Sequence, residues 1–154
     1  LGSATERASI NAALGQGLQG LNWAGQAPFP MVAALLQRCD LVLSGDTGPL
    51  HLAALLRRPT VSAYFGSSQV YETGPYGNGH LAAYQDLDCA PCDQMDGCAR
   101  PICKQRVSAE GLAQACRAQL GLGPEPRGFW RSQLSPQGLQ WLPSAAAVVE
   151  ASHA

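Results

Sequence analysis

Asp46, Thr47 and Gly48 stand between an apolar run, Leu41-Val-Leu, and a helix-forming string, Pro49-Leu-His-Leu-Ala-Ala-Leu-Leu. The order strand, turn, helix gathers unpaired backbone N–H groups and the positive end of a helix at one point, which is a place for an anion. Pro49 suits the first helical position, and Gly48 lets a ligand come close to the main chain. His51, one turn in, brings a ring nitrogen to the same anion. A plainer reading of the same residues makes Asp46 or Thr47 a helix cap and His51 a solvated side chain.

Asp-Thr-Gly is also the triplet around the paired aspartates of retroviral-type proteases, where it joins β-segments. The helical string after Gly48 argues against that chemistry here. A second cluster is Cys89-Ala-Pro-Cys92, Cys98 and Cys103, four thiols within fifteen residues. That density suits a closed tetrahedral zinc knuckle; reduced thiols or disulfides are the alternative, and the last Cys-x4-Cys arm is not a standard knuckle spacing. Cys39 and Cys116 read as small core residues.

These groups need a scaffold. Thr5 to Leu18 carries Ile10, Leu14 and Leu18 at helical spacing, Leu21 to Ala24 reads as a short strand, and Phe29 to Arg38 reads as the next helix. The strand at Leu41, the helix after Gly48 and a strand at Pro59 to Phe65 follow. Such alternation predicts an α/β fold, a Rossmann-like parallel sheet flanked by helices, with ligands at the carboxyl ends of the strands. Gly74-Pro-Tyr-Gly77-Asn-Gly79 is expected as a loop folding near the site. Ser108 caps a helix running to Leu120 that Gly121 stops. Phe129 to Leu134 and Leu139 to Leu142 make a hairpin whose Trp130 and Trp141 pack on the domain, and the Ala-rich end frays.

The chain has 154 residues, enough for one domain with a real core; 46% are apolar, 14% are charged and the formal net charge is −1. That balance predicts neither a nucleic-acid footprint nor an electrostatic membrane anchor, and no apolar run approaches the roughly 20 residues that cross a bilayer. The first helix has no strand before it, so the chain reads as part of a larger protein.

In order, Gly2-Ser-Ala-Thr-Glu6, Ala24-Gly-Gln-Ala27, Leu41-Val-Leu-Ser-Gly-Asp-Thr-Gly-Pro-Leu-His-Leu-Ala-Ala54, Pro59, Tyr64-Phe-Gly66 and Gly74-Pro-Tyr-Gly77 resemble the C-terminal half of glycosyltransferase family 9, the ADP-heptose:lipopolysaccharide heptosyltransferases. The resemblance covers about residues 1 to 120. It implies the nucleotide-sugar half of a GT-B enzyme, spanning 1–120 with a cysteine-rich loop at 88–104, a tail at 121–154 with a hairpin at 129–142, and an acceptor domain upstream. It implies inverting transfer from ADP-heptose to a lipopolysaccharide core acceptor, with the general base upstream and this part inactive alone.

By the same resemblance Glu6 holds the nucleotide ribose, although a first-turn helix acid is an equal reading. Gln26 and Ala27 pass the adenine, and Asp46, Thr47, Gly48 and His51 meet the pyrophosphate and sugar. Gly66-Ser67-Ser68 departs from the Gly-Pro-Thr often found there. Cysteine loops like 88–104 occur in relatives, so structural zinc on Cys89, Cys92, Cys98 and Cys103 is carried as an expectation. The resemblance implies a cytoplasmic protein, at most peripheral at the inner membrane. Two other functions stay open: a GT-B transferase using another nucleotide sugar, and a non-catalytic nucleotide- or zinc-binding module.

Overall fold

The computed structural model describes residues 1–93 and 97–144. The end expected to fray lies outside them. The chain divides into two compact units, Leu1–Arg38 and Cys39–Ala154.

The first unit opens with a 3-10 turn, Ala4–Glu6, that continues as α1 (Arg7–Leu14). Ser3 and Glu6 form a capping box: the Glu6 carboxylate accepts from the Ser3 amide at 2.8 Å and from its hydroxyl at 2.7 Å. The helix stops at Gly15, short of the expected Leu18, which is 65% exposed and adds nothing to the apolar face. Leu21 to Ala24 is not the expected strand. Asn22 supplies the reason, because its Oδ1 accepts the Ala24 amide and its Nδ2 donates to the Arg7 carbonyl and to Asn11, a side-chain network that takes the place of a strand ladder. Gly25 then donates to the Gly2 carbonyl with φ +65°, where a Cβ would sit 2.6 Å from the Ala4 Cα. Only glycine permits that approach. A second helix, α2 (Phe29–Gln37), carries Pro30 in its first turn and buries Leu36.

The second unit is built on a five-stranded sheet. Its elements are β1 (Val42–Gly45), α3 (Gly48–Leu55), β2 (Thr60–Ala63), α4 (Val70–Thr73), β3 (Leu81–Ala83), α5 (Ile102–Gln105), α6 (Ala109–Gln119), β4 (Phe129–Ser135) and β5 (Gly138–Pro143). β1 pairs parallel with β2, and β2 with β3. β3 pairs antiparallel with β4, and β4 with β5. The sheet is therefore mixed, not parallel throughout as the alternation predicts. The expected order also shifts: the parallel part starts at β1, and its third strand is β3, too short and too rich in alanine to be recognised in the sequence.

Strand alternation sorts the core into two faces. Ala82 faces Leu50 of α3, Val70 of α4, Tyr64, Tyr84 and Trp141, with Trp130 packed against them. Val61, Leu81 and Ala83 face Ala115 of α6 and Phe129, with Leu112 and Cys116 alongside. The two tryptophans of the hairpin are thus structural. His80, buried at the entry to β3, shares a 2.9 Å hydrogen bond with Thr60 Oγ1, and burial pushes its pKa below the ordinary 6.5.

Candidate functional site

The registers Gly45↔Ala63 and Ala63↔Ala83 put the carboxyl ends of β1, β2 and β3 on one edge of the sheet. The Asp46–Gly48 turn leaves from that edge, and α3 begins at Gly48 with Pro49 second. Thr47 is extended, φ −148° and ψ 160°, and its carbonyl accepts from the amides of Leu50 and His51. Its hydroxyl makes no cap; it shares a 2.9 Å hydrogen bond with Ser44 Oγ instead. Asp46 is no cap either. One carboxylate oxygen lies 3.2 Å from His51 Nε2, and the other accepts the Thr73 hydroxyl at 2.8 Å. The capping alternative for Asp46 and Thr47 fails because both side chains are occupied elsewhere.

What remains is main chain. Among the described residues the Thr47 and Gly48 amides donate to no carbonyl and no side chain. Both residues are exposed, and a Cβ built on Gly48 meets nothing within 4 Å. Two donors at the start of a helix thus lack a protein partner beside an uncrowded glycine, the arrangement that anions use.

Thr73 is the residue that sequence reasoning misses. It lies at the end of α4, 27 positions from Asp46, and no local pattern links the two. Its neighbour Gly74 is fixed by crowding, since a Cβ there would stand 2.4 Å from the Val70 carbonyl oxygen and 2.5 Å from the Trp141 ring. Tyr64 completes the wall. Its hydroxyl donates to the Thr73 carbonyl at 2.9 Å, and burial, aided by the Asp46 charge, raises its pKa far above the usual phenol range.

Glu6, Gln26 and Ala27 belong to the first unit. The Gly25–Gly2 hydrogen bond and the Arg7 guanidinium, which donates to the Ala24 carbonyl, bring the Glu6 turn beside the loop holding Gln26 and Ala27. Only Oε2 of Glu6 serves the capping box; Oε1 has no hydrogen bond among the described residues. The two Ser3 hydrogen bonds hold its pKa below the ordinary value.

Of the Gly74–Gly79 loop, Gly74 lies beside Thr73 at the site, as expected, and Gly77–Gly79 does not fold near Asp46. That loop enters β3 from the opposite edge, because it must deliver the chain to the amino end of a parallel strand. The cysteine segment does reach the edge of the site: Cys89, Cys92, Cys98 and Cys103 line one cleft with Gly66 and Ser67, beyond the end of β2. They do not form the expected knuckle. Among the described residues no three His, Cys, Asp or Glu side chains are placed to hold a metal ion, and all six cysteines are free thiols. Cys92 and Cys103 approach Gly66, while Cys89 and Cys98 are exposed.

The family model for glycosyltransferase family 9 (heptosyltransferase) matches residues 1–102. The chain belongs to glycosyltransferase family 9. Lipooligosaccharide heptosyltransferase 2 of Campylobacter jejuni is 40% identical over 57 residues, 36% of this chain and 18% of that protein. Lipopolysaccharide heptosyltransferase 1 of Pseudomonas aeruginosa is 35% identical over 140 residues, 80% of this chain and 38% of that protein. Lipopolysaccharide core heptosyltransferase OpsX of Haemophilus influenzae is 37% identical over 57 residues, 37% of this chain and 16% of that protein. The chain therefore spans well under half the length of these family 9 relatives. No solved structure matches it. Among the described residues no helix is long and apolar enough to cross a membrane.

Proposed function

We propose that this chain is the donor-binding part of a heptosyltransferase, taking ADP-heptose and serving transfer to a lipopolysaccharide core acceptor. One observation carries the reading. A family 9 chain presents two unpartnered amides, those of Thr47 and Gly48, at an exposed turn on the carboxyl edge of parallel strands, with room for a ligand at the Gly48 Cα.

In this reading the diphosphate lies across those amides, with the His51 ring beside it. As the acceptor hydroxyl attacks the anomeric carbon from the face opposite the leaving group, the bond to the diphosphate breaks and negative charge grows on the departing oxygen. Preorganised N–H donors at a helix start stabilise charge that develops in this way, an effect commonly worth about 3–4 kcal/mol per donor. Asp46, held by His51 and Thr73, fixes the turn rather than meeting the phosphates, since a second anion there would repel them. Glu6 keeps Oε1 for a ribose hydroxyl, and the backbone of Gln26 and Ala27 passes the base. The general base and the acceptor site are assigned to parts of the enzyme beyond these 154 residues, so this chain alone binds donor without transferring it.

Calorimetry of the intact protein with ADP, UDP and GDP tests the proposal. ADP is expected to bind tightest. Tighter binding of UDP or GDP would move the chain to another nucleotide sugar, and absence of binding by all three would end the transferase reading.

A further inference from the structure

The opposite edge of the sheet holds a second cleft, of about 720 Å³, where α3 ends, β2 begins and the Gly77–Gly79 loop enters β3. Three of the chain's ten Lys and Arg residues, Arg57, Arg58 and Arg131, line it, and no Asp or Glu does. The net charge of −1 conceals this concentration of cations.

Their hydrogen bonding separates the three. Arg131 is committed: it donates to the Gly79 carbonyl at 2.9 Å and pairs with Glu125. Arg58 uses only Nε, which donates to the Leu56 carbonyl at 3.3 Å. The Arg57 guanidinium and the terminal nitrogens of Arg58 have no protein acceptor among the described residues.

The backbone at Arg57 is the second observation. It has φ +56°, the only non-glycine with positive φ among the described residues. It occupies the left-handed position that closes α3, with the Arg58 amide donating to the Ala53 carbonyl and its own amide to the Ala54 carbonyl, both at 2.9 Å. The end of α6 has the same hydrogen bonds, and there the position is Gly121, φ +72°. Glycine would satisfy the Arg57 backbone with less steric conflict. What arginine adds in that place is its cation, set at the mouth of the cleft and at the C-terminal end of α3.

We propose that this cleft binds a phosphate monoester, with Arg57 and Arg58 as the recognising groups and the exposed rings and side chains of Tyr76 and Leu55 against the ester's organic part. Two planar guanidinium forks match the charge and the oxygen geometry of a phosphate dianion, and an apolar rim favours an ester over the free ion. The site stands across the sheet from the Thr47–Gly48 amides and does not depend on what binds there.

The test uses the intact protein, glycerol 3-phosphate as soluble probe, and vesicles of phosphatidylcholine with and without phosphatidic acid. Amide shifts on titration with glycerol 3-phosphate are expected at Gly77–Gly79, and the R57G/R58Q variant is expected to weaken that binding about tenfold or more while leaving ADP affinity unchanged. R57G alone is expected to keep or raise the melting temperature. Binding to phosphatidic acid vesicles that R57G/R58Q abolishes would identify a lipid headgroup as the source; soluble binding without vesicle binding would identify a free phosphate ester. The proposal is overturned if neither probe binds, if R57G/R58Q binds as the parent does, if the shifts fall at Thr47 and Gly48, or if R57G lowers the melting temperature, which would make Arg57 a complement to the helix dipole.

Discussion

α3 and α6 start alike and are capped differently. Each follows an extended hydroxyl residue, Thr47 or Ser108. At α6 the Ser108 hydroxyl accepts the Gly111 amide at 2.9 Å and the helix start is closed upon itself. At α3 the Thr47 hydroxyl is drawn away by Ser44, Asp46 is held by His51 and Thr73, and the first amides stay open. A helix start is left open to a ligand when the side chains able to cap it are engaged elsewhere, and the sequence around it says little about whether they are.

The sharpest way to break this contrast is Gly48→Leu. No atom lies within 4 Å of the added Cβ, so the melting temperature is expected to hold, yet the side chain fills the space beside the amides. Losing charge-assisted hydrogen bonds worth about 1.5–3 kcal/mol each should weaken ADP binding roughly a hundredfold, as calorimetry would read. Unchanged affinity would place the nucleotide elsewhere. Thr73→Val comes next, because it releases Asp46 without changing shape. ADP affinity should fall several-fold and stability by about 1 kcal/mol in urea melts, and restoration of both by Thr73→Ser would tie the effect to the hydroxyl.

Ser108→Ala supplies the converse. It should cost about 1 kcal/mol of stability and leave ADP affinity alone; a change in affinity would mean that the two helix starts are coupled. The mildest effect is a slope with pH. His80 is held neutral by burial, so the unfolded chain takes up a proton near pH 6.5 before the folded one does. This contribution is fully present above pH 6.5 and is lost as pH falls toward the lower folded value. Urea melts at pH 7.5 and 5.5 should show that slope in the parent, in Gly48→Leu and in Ser108→Ala, and not in His80→Asn.

The same contrast explains what could be read in advance. β1, α3, β2 and α6 follow from apolar runs, helical spacing and terminal residues, which are local quantities. β3 does not, since Leu81-Ala-Ala83 has weak strand preference and is held by partners on both sides, β2 and β4. Nor could Leu21–Ala24 be recognised as irregular chain, because Asn22 decides it through bonds to Arg7 and Asn11. Within the site, the Asp46–Gly48 turn is local and was visible, whereas Thr73 reaches it only through the fold. The thiol spacing suggested a knuckle because spacing carries no information on where each side chain points.

Gly74 links the hairpin to all of this. Its bare Cα lets the Trp141 ring lie against the segment that holds Thr73, and Thr73 holds Asp46. The family match ends at residue 102, well before that ring. An expression boundary drawn there would retain every residue of the Asp46 turn while discarding α6, β4 and β5, which cover both faces of the core, so a shortened protein that fails to take nucleotide would report a lost fold and not a missing contact.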